Sequence, residues 1–228
     1  MSSLPLQQSW SSLPRAEMDS LRERWLCRGG PWKADLSLLL LRGERAVLKD
    51  FSAKSLLVRW IGRAQVARES RVYEALAGVT GVPPLLARPS RESLLIGFVD
   101  GRRLSKERGS ADAAALAERL SGLVDAIHER GVVHVDLRGR DNILVDGARR
   151  LWVLDFGASW LRGSGPLSRW LFALGRFIDG AAVLKWRLLL APEGVGPRER
   201  SSHERFRRLR RLWPFNLKRK TRLDASTR

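Results

Sequence analysis

Cysteine is nearly absent from this 228-residue sequence, and the one present, Cys27, has no second cysteine with which to close an internal disulfide. That excludes a disulfide-stapled scaffold and fits a reducing compartment. Cys27 itself reads as a small hydrophobe rather than a nucleophile. Long apolar runs are lacking too. Runs such as those at residues 38–41 and 188–191 fall far short of the roughly 20 residues that span a bilayer. The first 20 residues hold neither an early basic cluster nor an apolar stretch, so no secretory signal is expected. The expectation is a cytoplasmic protein, soluble or peripheral on the inner face of the cell membrane. Internal repeats, zinc-ligand spacing, an aromatic RNA-binding motif and a helix-turn-helix are all missing. This leaves nucleic acid as an added partner at most.

Acidic residues are also scarce, 24 against 42 lysines and arginines, for a net charge of +18. Such an imbalance favours polyanionic partners: nucleic acid, anionic lipid or a phosphorylated glycan. The surplus is uneven. From position 197 onward 12 basic residues stand against 3 acidic ones, so half of the net charge lies in the last 32 positions. Within that tail Phe206, Leu209, Leu212 and Trp213 fall at helical spacing opposite a basic face. This pattern suits an anionic membrane surface, or equally a helix docked on the rest of the protein.

What is present is enough apolar sequence, 44%, for a real core. Residues 1–22 read as a mobile or loosely packed arm, and Gly29-Gly30-Pro31 as a turn. Residues 36–41 and 45–51 flank the Arg42-Gly43-Glu44 connection as a β-hairpin, with Lys49 among the apolar residues of its second strand. Leu57, Ile61, Val66, Val72, Tyr73 and Leu76 give residues 54–78 a helical period, and Gly78 follows as a stop. Residues 85–87 and 94–99 are two further strands, and 111–130 the clearest helix. Three short apolar runs, 132–135, 143–145 and 152–154, are joined by polar loops, and the chain is largely helical in pattern from about Leu167.

The informative stretch is residues 131–159, GVVHVDLRGRDNILVDGARRLWVLDFGAS. It holds His134-x-Asp136, then Asn142, then Asp155-Phe156-Gly157, with two strand-like segments around Asp146-Gly147. Asp136 and Asn142 share one loop, and Asp155 ends a neighbouring strand. Two carboxylates and an amide suit Mg²⁺, a hard cation that takes few protein oxygens and keeps phosphate oxygens in its shell.

These residues resemble the protein kinase-like superfamily, whose H-R-D-x-x-x-x-N loop and D-F-G motif are matched in order and approximate spacing over roughly residues 30–190. The narrower resemblance is to small bacterial RIO-like and lipopolysaccharide (Kdo) kinase-like proteins, through the VLKDF strand and the segment from Asp179 to Trp186. The resemblance implies an α+β, bilobal fold. A β-rich N-lobe with one helix (23–100) would precede a mainly helical C-lobe (101–196) and a basic tail (197–228). It implies ATP and Mg²⁺ as cofactors. Asp136 would be the catalytic base, with Arg138 stabilising charge nearby, and Asn142 and Asp155 the metal ligands. Lys49 would contact the phosphates and pair with Glu69, with Glu74 as the alternative. The hinge near 98–101 would bring Phe98 and Asp100 to the nucleotide. His134 is expected to hold the loop from the core.

Several departures qualify the resemblance. Val135 stands where the family has arginine, which removes the anchor for a phosphorylated activation loop. The Asp136–Asn142 interval is one residue longer, which makes Asp141 a weaker candidate ligand. There is no G-x-G-x-x-G loop, and Ala191-Pro192-Glu193 spells the family's A-P-E only by coincidence. The function implied is transfer of the γ-phosphate of ATP to an alcohol, either a protein Ser/Thr or a sugar of a lipid-linked glycan. The alternative is a nucleotide-binding pseudokinase scaffold.

Overall fold

The computed structural model describes residues 10, 13–198 and 201. The helix expected around residues 206–213 and most of the basic tail lie outside them. The N-terminal half is an antiparallel sheet of five strands, β1 (Arg22–Cys27), β2 (Asp35–Leu41), β3 (Glu44–Asp50), β4 (Leu85–Ser90) and β5 (Ser93–Gly97), in the order β1-β2-β3-β5-β4. Helix α1 (Leu56–Ala75) packs against it. The C-terminal half holds helices α2 (Ala113–Glu129) and α3 (Pro166–Leu190). It also holds a three-stranded sheet, β6 (Gly101–Arg103), β8 (Ile143–Asp146) and β9 (Leu151–Val153), and the strand pair β7 (Val132–Val133) and β10 (Trp160–Leu161).

The hairpin closes on Arg42-Gly43, with Leu41 opposite Glu44 and Leu36 opposite Lys49. Pro89 is tolerated because β4 is an edge strand, where one face of the ladder needs no partner. Successive residues of a strand point to opposite faces. The continuous apolar run in β2 therefore means that both faces of the sheet are covered. Leu38 and Leu39 are both fully buried; Leu94 belongs to the main core with α1, whereas Leu39, Ala46, Leu48 and Leu95 form a second cluster with Trp10 and Met18.

The described part of the first 22 residues is thus packed, not loose. Met18 and Trp10 are almost fully buried on the outer face of the sheet, and Arg15 pairs with Asp50. Strand β1 carries no apolar alternation, being exposed along most of its length, so its sequence does not announce it. In α1 the inward residues are Val58, Val66, Val72 and Tyr73, while Leu57 and Ile61, expected on the same apolar stripe, face outward.

Two glycines set close approaches that matter for the site. A Cβ on Gly62 would meet the ring of Phe51 at 2.5 Å, so glycine lets α1 settle against the end of β3. A Cβ on Gly175 would meet Val133 at 2.6 Å, so glycine lets α3 pass directly behind β7.

Candidate active site

Lys49 reaches the cleft because β3 is a central strand that ends under α1. Its ammonium bonds both carboxylate oxygens of Glu69, at 3.1 and 2.8 Å, and Oδ1 of Asp155 at 3.2 Å. Glu69 is a charged residue on the buried face of α1, 1% exposed, and stays there because Lys49 compensates it. Glu74, the other candidate, is exposed on the opposite surface of the helix. Burial pulls the Lys49 ammonium down, and the charges of Glu69 and Asp155 more than offset it, leaving its pKa above the ordinary lysine value. Burial pushes Asp155 up, and the charge and hydrogen bond of Lys49 outweigh it, so this carboxyl titrates below the usual range.

Asp155 sits in left-handed backbone geometry, φ 60° and ψ 71°, and caps the short turn that follows by accepting from Gly157 N–H. The side chain remains 55% exposed towards the cleft. Arg68 of α1 donates to Gly157 O, tying the helix to the same turn. Phe156 is buried, edge-on to Tyr73 with ring centroids 5.2 Å apart and against His134 at 4.8 Å.

The loop after β7 presents the second group. Asn142 Nδ2 donates to Asp136 O at 2.8 Å and to Asp136 Oδ2 at 3.2 Å. Leu154 N–H donates to Asn142 O at 2.8 Å, which sets Asn142 beside the strand that delivers Asp155. Three of the candidates, Asp136, Asn142 and Asp155, are therefore gathered by one loop and one strand end, with Lys49 and Glu69 across from them.

His134 is fully buried. Its Nε2 lies 3.0 Å from Leu154 O, and its Nδ1 accepts from Asp136 N–H at 3.3 Å. Both contacts are met with the ring proton on Nε2, which makes the imidazole a strut between the Asp136 loop and the strand before Asp155.

Asp179, on α3, belongs to neither the H-x-D nor the D-F-G motif, yet it organises this loop. Wholly buried, it accepts from His134 N at 2.8 Å, Val135 N at 2.7 Å and His128 Nε2 at 3.0 Å. Val135 is held at φ 58°, a conformation costly for a β-branched side chain, and the Asp179 carboxylate fixes the amide there. In the sequence Asp179 stands out as a single acid in an otherwise apolar and basic helix, at the start of the segment that carries the narrower resemblance, but neither gives it this role.

The remaining candidates lie at the margin. Arg138 donates to Ala181 O at 3.3 Å, and Lys185 donates to Arg138 O at 2.8 Å, so the loop is laced to α3. Asp141 is ion-paired with Arg103 at 2.7 Å. Phe98 and Asp100 lie in the connection between β5 and β6, half-buried and exposed respectively. Residues 28–34, the β1–β2 connection, are pinned by Asp35, which accepts from Gly29 N and from Lys54 Nζ, both at 2.8 Å.

Among the described residues no three His, Cys, Asp or Glu side chains form a metal cage by themselves. The donor set still fits Mg²⁺, which is ordinarily bound through one or two carboxylates together with substrate phosphates. Asp155 presents a half-exposed carboxylate, and Asn142, with Nδ2 committed to Asp136, has its side-chain oxygen as the remaining ligand atom.

The solved structure of the Rio2 kinase-ADP/Mg²⁺-phosphoaspartate complex from Chaetomium thermophilum aligns with a TM-score of 0.55 over 83% of this chain and 62% of that one, at 18% identity. The chain therefore shares a bilobal kinase-like fold with that structure. No protein-family model matches the chain. Two curated Arabidopsis thaliana proteins are similar in sequence. CBL-interacting serine/threonine-protein kinase 21 is 31% identical over 121 residues, 50% of this chain and 29% of that protein. CBL-interacting serine/threonine-protein kinase 26 is 33% identical over 141 residues, 55% of this chain and 31% of that protein. The chain thus spans under a third of the length of these curated relatives.

Proposed function

We propose that this protein is a kinase-like phosphotransferase that moves the γ-phosphate of ATP to a hydroxyl group. The observation that carries this reading is the Lys49–Glu69–Asp155 cluster standing opposite the hydrogen-bonded Asp136–Asn142 pair. Kinase relatives and a kinase fold support it.

In this reading Lys49, oriented by Glu69, holds the α- and β-phosphates, and Phe98 and Asp100 border the nucleotide at the connection between the lobes. Asn142 and Asp155 would hold Mg²⁺, which would supply charge neutralisation to the phosphate oxygens. Asp136 orients the acceptor hydroxyl and takes its proton as the acceptor oxygen bonds to the γ-phosphorus and the bond to the ADP oxygen breaks. Arg138, two residues on, adds positive charge to the same loop. The protein contributes mainly positioning and charge compensation. The acceptor is a protein Ser/Thr or a sugar of a lipid-linked glycan, and the positive charge of the basic tail would attract an acceptor that lies on an anionic surface.

The test is Mg²⁺-dependent ATP turnover by the purified chain, with protein and lipid-glycan acceptors added in turn. Asp136→Asn is expected to lower turnover by about 10²–10⁴-fold, the usual contribution of a general base. Asp155→Ala is expected to abolish it. Tight ATP binding with no turnover for any acceptor would leave a nucleotide-binding scaffold instead, and loss of both in folded protein would remove the reading.

A further inference from the structure

Helix α3 buries one face and leaves a second apolar face outside. Phe172, Gly175, Asp179, Ala182, Val183, Trp186 and Leu190 point inward. Leu167, Trp170, Leu171 and Phe177 point outward, with Leu167 68%, Trp170 61% and Phe177 60% exposed. Trp170 and Leu171 follow Leu167 by one helical turn, and Phe177 follows Trp170 by two, so the four share one stripe, about 15 Å long by the helix rise. A single exposed leucine needs no explanation, but a continuous stripe with two aromatic rings marks a docking surface.

The charges around the stripe select the occupant. The only acid on α3 is Asp179, which is wholly buried, while Arg169 and Arg176 are exposed one helical heptad apart. Both line a groove of about 690 Å³ between α2 and α3, together with Arg162 and Phe177. Asp125 of α2 is the one exposed carboxylate on that groove. The rim of the apolar stripe is therefore strongly positive. A second copy of the chain would bring like charges together.

A contrasting patch marks the difference. Leu56, Leu57 and Trp60 on α1 are also exposed, but their neighbours Arg59 and Arg63 are spent on Glu92.

We propose that the outer face of α3 is a membrane-docking surface, lying in the plane of an anionic phospholipid bilayer. Trp170, Phe177, Leu167 and Leu171 enter the acyl boundary, and Arg162, Arg169 and Arg176 engage lipid phosphates. The composition is that of an interfacial helix, with aromatic and leucine side chains on one side and arginines at the border. No helix among the described residues is long and apolar enough to cross a membrane, and α3 is accordingly placed on the surface of the bilayer, not through it. This inference does not rest on phosphate transfer.

The experiment is vesicle co-sedimentation of the full chain with phosphatidylcholine vesicles, with and without roughly 30% phosphatidylglycerol, at low and high salt. Three proteins are compared: wild type, Trp170→Ser/Phe177→Ser, and Arg169→Gln/Arg176→Gln. All substituted side chains are exposed, and circular dichroism and a thermal midpoint verify that the fold is kept. Wild type is expected to bind the anionic vesicles, the serine variant at least tenfold more weakly with its net charge unchanged, and the glutamine variant more weakly with a flatter salt dependence. Equal binding by wild type and the serine variant would assign the affinity to the tail alone and overturn the proposal. So would the absence of wild-type binding, or an oligomer that the serine substitutions dissolve without lipid.

Discussion

Removing the Asp179 carboxylate tests how the candidate catalytic loop is built. Asp179→Ala leaves the backbone N–H groups of His134 and Val135, and the Nε2 of His128, facing a dry cavity. Each orphaned buried donor costs about 1–3 kcal/mol, so the three together are expected to cost roughly 3–9 kcal/mol, a large part of the total stability of an ordinary domain. Asp179→Asn discriminates more finely. Its single oxygen replaces either Oδ1 or Oδ2, so the amide nitrogen must face one of the two backbone donors, and about 1–3 kcal/mol is lost. The loop then relaxes where Val135 is held at φ 58°.

Urea denaturation followed by circular dichroism measures the first effect, and ATP turnover with nucleotide affinity the second. Turnover is expected to fall by more than nucleotide affinity in the asparagine variant, because the Lys49–Glu69 pair lies on other elements. An alanine variant within about 0.5 kcal/mol of wild type, the scatter of ordinary surface substitutions, would refute the role assigned to Asp179.

Two further outcomes are expected from single side chains. The Tyr73 hydroxyl is buried without a hydrogen-bond partner among the described residues, and burial together with Glu69 and Asp155 pushes its pKa well up, so Tyr73→Phe removes an unsatisfied group. Stability by urea denaturation is expected to stay level or rise by about 1 kcal/mol, and a loss above that would mean the hydroxyl has a structural partner. Asp146, held by Trp152 Nε1 and by Arg150, has its pKa lowered to about 2. The unfolded chain binds this proton near the ordinary carboxylate value of about 3.9, so its stabilising contribution is whole above that value. It is lost as pH falls towards 2, and Asp146→Asn is expected to flatten the acid limb of a stability titration between those limits.

Local pattern alone makes much of the architecture legible. The β2–β3 hairpin, α1, α2 and α3 follow from period, turn residues and stop signals, all written within a few residues of one another. The order His134, Asp136, Asn142, Asp155 marks the chemistry because a loop and the next strand end are close along the chain. Strand β1 stays hidden, because an edge strand exposed on most positions needs no apolar alternation. The packing of Trp10 and Met18 is hidden as well, since nothing in a short polar-rich segment says which sheet face it covers.

Only tertiary structure brings Lys49 to Asp155, 106 positions apart, because their meeting depends on how α1 and β3 settle over the C-terminal half. The same holds for Asp179. Its spacing on α3 shows an acid on an apolar face, but the donors that justify its burial belong to β7 and the loop beyond it. Sequence determines which side chains have the chemistry and which elements carry them, through interactions of neighbours. Which buried charges find partners, and which apolar face of α3 is left outside, is decided by packing between elements distant in the chain.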